Sequence, residues 1–127
     1  MRLFIPAPMG YTKTGRQKAL WLSSNQRIHW AQRSRLVKQW RMLARTCAQA
    51  QKLPKGLQRV HITVEVHRSR RGRADAHNVL LTAKSCIDGL VDYGLIPDDN
   101  DDHLLGPDMR AGEPGKPGMT FTIEEIP

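Results

Sequence analysis

Asp75 and His77 close a run of arginines, and Asp98, Asp99, Asp101 and Asp102 crowd a short stretch further along the chain. Carboxylate oxygens are what a hard divalent cation such as Mg2+ takes as ligands. Two or three of them on one side leave positions open for a phosphate oxygen and a water. An ion held that way polarises the phosphate, acidifies its water and offsets charge on the leaving oxygen. Lys84 and Asp88 lie between the two acidic positions, four residues apart and so on one face of a helix. Two readings of that pair stay open. Lys84 faces the site and stabilises charge developing on the phosphoryl group, with Asp88 orienting it or a ligand; or the two form an ordinary surface ion pair worth about 0.3 kcal/mol. The acids after Pro97 also have a plain reading, as a solvated turn.

The charge distribution sets these residues in context. Seventeen of the twenty Lys and Arg residues precede Asp75, with Glu65 the one acid among them, whereas the remainder holds eleven acids and three basic residues. A net charge of +8 divided so unevenly suggests a basic surface for a polyanion beside an acidic pocket for a cation. Arg27, Arg33, Arg41, Arg70, Arg71 and Arg73 are the candidate phosphate ligands, the last three in the loop that delivers Asp75.

At 127 residues, with 39% apolar and 25% charged, the chain reads as one domain, residues 1–127, with a modest core. No apolar run is long enough to span a membrane, and the proline-broken start is not a secretory h-region. Cys47 and Cys86 form no CxxC, so the cytoplasm is the expected compartment.

The elements that must position the site follow from hydrophobic period. Leu36, Val37, Trp40, Leu43, Ala44, Cys47 and Ala48 recur at three- and four-residue steps, which predicts a helix from Ala31 to about Lys52. Lys38, Arg41, Arg45 and Lys52 fall on another face with no acid to partner them, either a solvated surface or a phosphate-tracking ridge. Strict alternation of Val60, Ile62, Val64 and Val66 with His61, Thr63, Glu65 and His67 predicts a strand with one buried face. Asn78 to about Tyr93 is a second helix, with Gly94 at its C-terminal cap and Asp75 or Asn78 at its start. Arg2–Ile5 reads as an edge strand and Met119–Ile126 as a terminal strand. Ala7–Gly15 reads as a loop, Leu20–Trp30 as an ordered turn, and the Gly- and Pro-rich Gly106–Gly118 as a mobile loop. The sum is an α+β single domain, a small mixed β-sheet with two helices packed on it. One geometric demand follows. A helix from Asn78 to Tyr93 is roughly 24 Å long, so Asp75 and Asp99 share an ion only if the helix is shorter or Asp99 returns on a neighbouring strand.

The stretches RADAHN and KSCIDGLVDYGLIPDD resemble the RusA family of Holliday junction resolvases, found mainly in phages and prophages. The family pattern falls on Arg73, Asp75, Asn78, Lys84, Asp88-Gly89-Leu90, Gly94 and Asp98-Asp99, ungapped from Lys84 onward. LSSNQRIHW resembles the family's N-terminal segment, and the C-terminal Gly-rich loop and strand fit as well. The resemblance implies a homodimer that binds branched DNA, a four-way junction, and cuts two strands symmetrically with Mg2+ or Mn2+, and no small-molecule cofactor. It carries the essential carboxylates to Asp75 and Asp99 and the catalytic lysine to Lys84. With Asp88 and His77, those carboxylates make up the expected metal ligands. Two departures stand out. His77 replaces the second Asp of Asp-x-Asp-Asn, a softer ligand that suits Mn2+ better than Mg2+, and three extra residues separate Asn78 from Lys84. The second reading is a catalytically weakened DNA-binding protein of the same fold. A third class is a basic RNA-binding or ribosome-associated protein.

Other residues have plainer readings beside functional ones. Glu65 is a ligand or, more simply, an arginine's partner. A zinc site from His61, His67, His77 and Cys86 has no usual zinc spacing. Of the three tryptophans able to stack on unpaired bases, Trp40 lies on the apolar stripe and Trp30 is the better candidate for exposure.

Overall fold

The alternation read in Val60–His67 becomes the centre of the molecule. Val60, Ile62, Val64 and Val66 are buried, and the residues between them stay half-exposed. Complete burial of an aliphatic side chain of this kind contributes roughly 1.5–3 kcal/mol. In this computed structural model, which describes residues 1–24, 27–70, 72 and 75–127, the strands are β1 (Arg2–Pro6), β2 (Met9–Tyr11), β3 (Gln17–Ala19), β4 (Val60–His67), β5 (Leu104–Ala111) and β6 (Gly118–Glu125). The helices are α1 (Trp30–Gln51) and α2 (Leu80–Tyr93), the second entered through a 3-10 turn, Ala76–Val79. The main sheet has the order β1-β6-β4-β5, with β4 and β5 parallel and the other pairs antiparallel. This is the expected α+β chain with a mixed sheet and two helices.

Helix α1 buries its predicted stripe through Leu36, Trp40, Ala44 and Ala48. The His29 ring accepts the Ala31 N–H at its start, and Lys52 ends it in the left-handed region. Helix α2 buries Ala83, Cys86, Ile87 and Leu90, and Gly94 caps it at φ 101°, as expected of a residue without Cβ. The helices meet at Gly89. A methyl group added there would stand 2.1 Å from the Arg41 carbonyl oxygen and 2.9 Å from the Ala44 Cβ. Glycine is therefore required by the close approach of two backbones, and the Asp-Gly-Leu motif has a packing role beside any chemical one.

In the connection ahead of α1, residues 20–24 have no secondary structure and are tied down by hydrogen bonds instead. The Thr82 hydroxyl accepts from the Leu22 N–H and donates to the Leu22 carbonyl, both at 2.9 Å, and the Trp40 indole N–H donates to the Leu20 carbonyl at 2.9 Å. Asn25 and Gln26 of this segment lie outside the described residues.

Two expectations are corrected. The Ala7–Gly15 loop contains β2, which pairs with β3 as a small antiparallel hairpin; three-residue strands are too short to show a period. Half of the Gly106–Gly118 loop is the edge strand β5. Its register on β4 jumps between His61↔Leu105 and Thr63↔Asp108, so an irregularity at Gly106–Pro107 breaks the alternation that would have marked a strand.

Gly89→Ala should lower the stability of the chain by about 1–3 kcal/mol through overpacking of α1 on α2. Urea unfolding at pH 7 measures it, and a change under about 0.5 kcal/mol would show that the helices separate freely.

Candidate functional site

The residues singled out by the sequence occupy one side of α2 and the turns at its two ends. Asp75 caps the 3-10 turn: its Oδ1 accepts the His77 N–H at 2.9 Å and lies 3.1 Å from His77 Nδ1. The backbone N–H of His77, and then its ring, hold the Asp75 carboxyl below the ordinary range, so this exposed group is a carboxylate near neutral pH. Asn78 donates its N–H to the Asp75 carbonyl, which closes the turn.

Further along α2 come Lys84, Asp88 and Asp92, at helical steps. Lys84 is exposed and has no salt-bridge partner among the described residues. Asp92 is gripped by Arg41 of α1, whose Nε and Nη2 donate to its two oxygens at 2.5 and 2.8 Å. That fork holds the Asp92 carboxyl down and the Arg41 guanidinium up. Asp88 behaves in the opposite way. Partial burial, followed by the neighbouring charge of Asp99, raises its pKa, and the two carboxyls lie within hydrogen-bonding reach of each other. Arg41 offsets only part of this.

Asp99 reaches Asp88 because the chain reverses at Gly94. Leu95 and Ile96 are buried as anchors, and Pro97, Asp98 and Asp99, which follow, are exposed. The other acids of the cluster do turn chemistry. Asp98 accepts the Asp99 N–H at 2.7 Å and the Asn100 side-chain amide at 3.3 Å, and Asn100 accepts the Asp102 N–H at 3.0 Å.

The four expected metal ligands therefore divide into two pairs, Asp75 with His77 and Asp88 with Asp99. Leu80 and Asp88 stand about 12 Å apart along the α2 axis, and Asp75 lies before Leu80. Among the described residues, no three His, Cys, Asp or Glu side chains gather where they would hold one ion. In this arrangement Asp75 caps the 3-10 turn with His77, and the Asp99 carboxyl neighbours that of Asp88. Two carboxylates with open solvent around them still match what Mg2+ or Mn2+ requires of a protein, because such ions keep waters and take substrate phosphates as further ligands.

The basic candidates also separate. Arg27 is exposed ahead of α1, Arg33 is exposed on it, and Arg41 is committed to Asp92. Arg70 is exposed after β4, whereas Arg71 and Arg73 lie outside the described residues. The histidines of the hypothetical zinc site are dispersed: His61 on Asp108 at 2.6 Å, His67 on the Thr120 hydroxyl at 2.8 Å, His77 on Asp75, with Cys86 buried beside the Trp40 carbonyl. Glu65 pairs with Arg2 at 3.4 Å. Trp40 is fully buried, and Trp30 is 76% exposed.

Two residues carry more than their sequence context suggested. Trp21 stacks on Trp40 with ring centroids 5.5 Å apart, and the Arg68 guanidinium sits 5.2 Å above the Trp21 ring. Arg68 and Arg70 line two adjoining clefts, one of about 350 Å3 that reaches Ala76, next to Asp75, and one of about 530 Å3 that reaches Lys18 on the hairpin. Nothing in a residue list forecasts this contact, since Trp21 lies in a segment without period. No protein-family model matches the chain, and no curated protein gives a significant match.

The raised Asp88 pKa has a thermodynamic sign. The folded chain holds this proton more tightly than the unfolded chain, so stability declines as the pH rises from the ordinary carboxylate value through the raised one. Asp88→Asn should therefore stabilise the chain by about 0.5 kcal/mol at pH 8 and lose that advantage near pH 3, where Asp88 is protonated. Thermal melts across that range measure it. A destabilised variant at pH 8 would contradict the placement of Asp88 against Asp99.

Proposed function

We propose that this chain is a metal-dependent, structure-specific DNA endonuclease that resolves four-way junctions by paired phosphodiester hydrolysis. The observation that carries the reading is the half-buried Asp88 carboxyl beside the exposed carboxyl of Asp99, one helical turn from the Lys84 ammonium, which has no salt-bridge partner among the described residues. Two acids held close enough to compete for a proton form a seat whose natural occupant is a cation. The resemblance in Asp75–Asp99 to junction resolvases and the basic surface around it supply the substrate class.

In this reading Asp88 and Asp99 hold Mg2+ or Mn2+, with Asp75 and His77 as a second pair of donors. When bound, the ion supplies Lewis-acid activation of a phosphate and of water. Lys84, without a salt-bridge partner among the described residues and one turn away on the same side, stabilises negative charge that builds on the phosphoryl oxygens. The Arg41–Asp92 fork keeps α1 and α2 in register beneath the site and withholds a third carboxylate from it. Arg27, Arg33 and Arg70 bind backbone phosphates, with Arg71 and Arg73 in the same loop as Arg70. A homodimer presents two such sites to a substrate of two-fold symmetry. The compartment is the cytoplasm of a bacterial or phage-infected cell; among the described residues, no helix is long and apolar enough to cross a membrane.

One observation favours the weaker-enzyme reading. His77, where the family pattern has an aspartate, spends its Nδ1 on Asp75. The two readings separate on a labelled synthetic four-way junction with Mn2+. The enzyme gives paired nicks near the crossover, lost in Asp99→Asn and Asp75→Asn and slowed about 100-fold or more in Lys84→Ala. A retarded band without nicks supports the binder, and nicking that survives Asp99→Asn contradicts the site.

Nicking by the enzyme should also rise with pH across the range in which Asp88 loses its proton, because the ion competes with that proton. A rate that stays level as the pH is lowered into the ordinary carboxylate range at subsaturating Mn2+ would contradict the assignment of Asp88 as a ligand.

A further inference from the structure

The two clefts joined by Arg68 are not accounted for by phosphate binding alone. Trp40 is completely buried and its indole N–H is bonded to the Leu20 carbonyl, so it is a fixed base. Trp21 is stacked on it, and Arg68 lies over Trp21. A guanidinium over an aromatic ring is held by the ring's quadrupole and gives up less freedom when it binds something else. Arg68 is half-buried, in contrast to the exposed Arg70 beside it. No salt bridge to Lys18, Arg68 or Arg70 occurs among the described residues. Glu113 also lines the smaller cleft, and its carbonyl accepts from His67.

The dimensions choose the ligand. Volumes of about 350 and 530 Å3 fall in the range of small-molecule pockets, roughly 300–1,000 Å3. A double helix, whose major groove alone is about 12 Å wide, does not enter such a space. One nucleotide does, with its base against a guanidinium face and its phosphate among lysine and arginine. The smaller cleft ends at Ala76, adjacent to Asp75, so a nucleotide in it lies beside the residues proposed for catalysis.

We propose that Arg68, positioned by Trp21, seats an unpaired nucleotide of the DNA in these clefts, so that the protein distinguishes strands freed from pairing at a branch point from continuous duplex. Bases at a branch have fewer stacking partners than those within a helix and cost less to splay out. The guanidinium plane offers replacement stacking to any base, without sequence preference. The duplex arms remain the business of the exposed basic residues of α1. This inference rests on the nuclease reading for its DNA substrate, but its test requires no cleavage.

Binding is measured in EDTA at fixed salt, with a single-stranded oligonucleotide and the blunt duplex of the same sequence, for the wild-type chain and for Arg68→Ala and Arg68→Lys. Arg68→Ala should weaken single-strand binding about tenfold and change duplex binding by less than about twofold. Arg68→Lys, which keeps the charge but not the planar stack, should remain several-fold weak on the single strand. Circular dichroism of each variant confirms that the fold persists, and Arg68→Lys carries the test should Arg68→Ala unfold. Equal losses on both ligands, no loss on either, or full rescue by lysine would overturn the proposal. Failure here leaves junction cleavage intact, and an inactive enzyme with this binding pattern leaves the clefts assigned.

Discussion

The close contact of α1 and α2 at Gly89 is the constraint on which the rest of the arrangement depends. Only a residue without a side chain lets the Arg41 carbonyl and the Ala44 methyl lie against the second helix. That spacing brings Trp40 and Cys86 into the same core and lets Arg41 reach across to both oxygens of Asp92. With Asp92 neutralised, the outer side of α2 presents Lys84 and Asp88 instead of an undifferentiated row of charge. Packing and electrostatics are thus not separable here: a wider helix spacing would free Arg41 and leave three carboxylates competing near Asp88.

A second consequence concerns how the chain delivers its acids. Parallel pairing of β4 and β5 requires a crossover, and α2 is that crossover. The loop after β4 ends in the capping turn of Asp75, and the reversal at Gly94 ends in Asp99. Each end of the helix therefore gains an acidic group from the connection it needs anyway. At the first end the carboxyl is stabilised as an anion by donors; near the other, partial burial and the neighbouring Asp99 disfavour the anion of Asp88. A group that is costly to ionise in isolation is where a bound cation gives the largest return, and this contrast singles out Asp88 and Asp99 from the other acids of the cluster.

Much of this was legible in the sequence, and the gaps have physical causes. Both helices, β4 and β6 declared themselves through period, since each has one buried face and enough length to show it, and the edge strand β1 showed as a short apolar run stopped by Pro6. Gly94 was recognisable as a cap because a left-handed residue there is needed to end α2. The β2–β3 hairpin was too short to carry a pattern, and β5 was disguised by the irregularity at Gly106–Pro107. Lys84, Asp88 and Asp99 could be named from motif spacing, but not which acid meets which. That depended on the direction of the chain after Gly94 and on Arg41 claiming Asp92. Arg68 on Trp21 was beyond reach altogether, because the contact joins a strand end to an aperiodic segment across the fold.

The central claim is that the half-buried carboxyl of Asp88 on α2 and the exposed carboxyl of Asp99 on its following turn form a seat for a divalent cation. The most direct measurement is anomalous diffraction from crystals of the chain soaked in Mn2+. The account predicts a manganese peak within coordination distance, about 2.0–2.4 Å, of oxygens from both Asp88 and Asp99. Manganese bound elsewhere, or no ordered manganese at all, would contradict it.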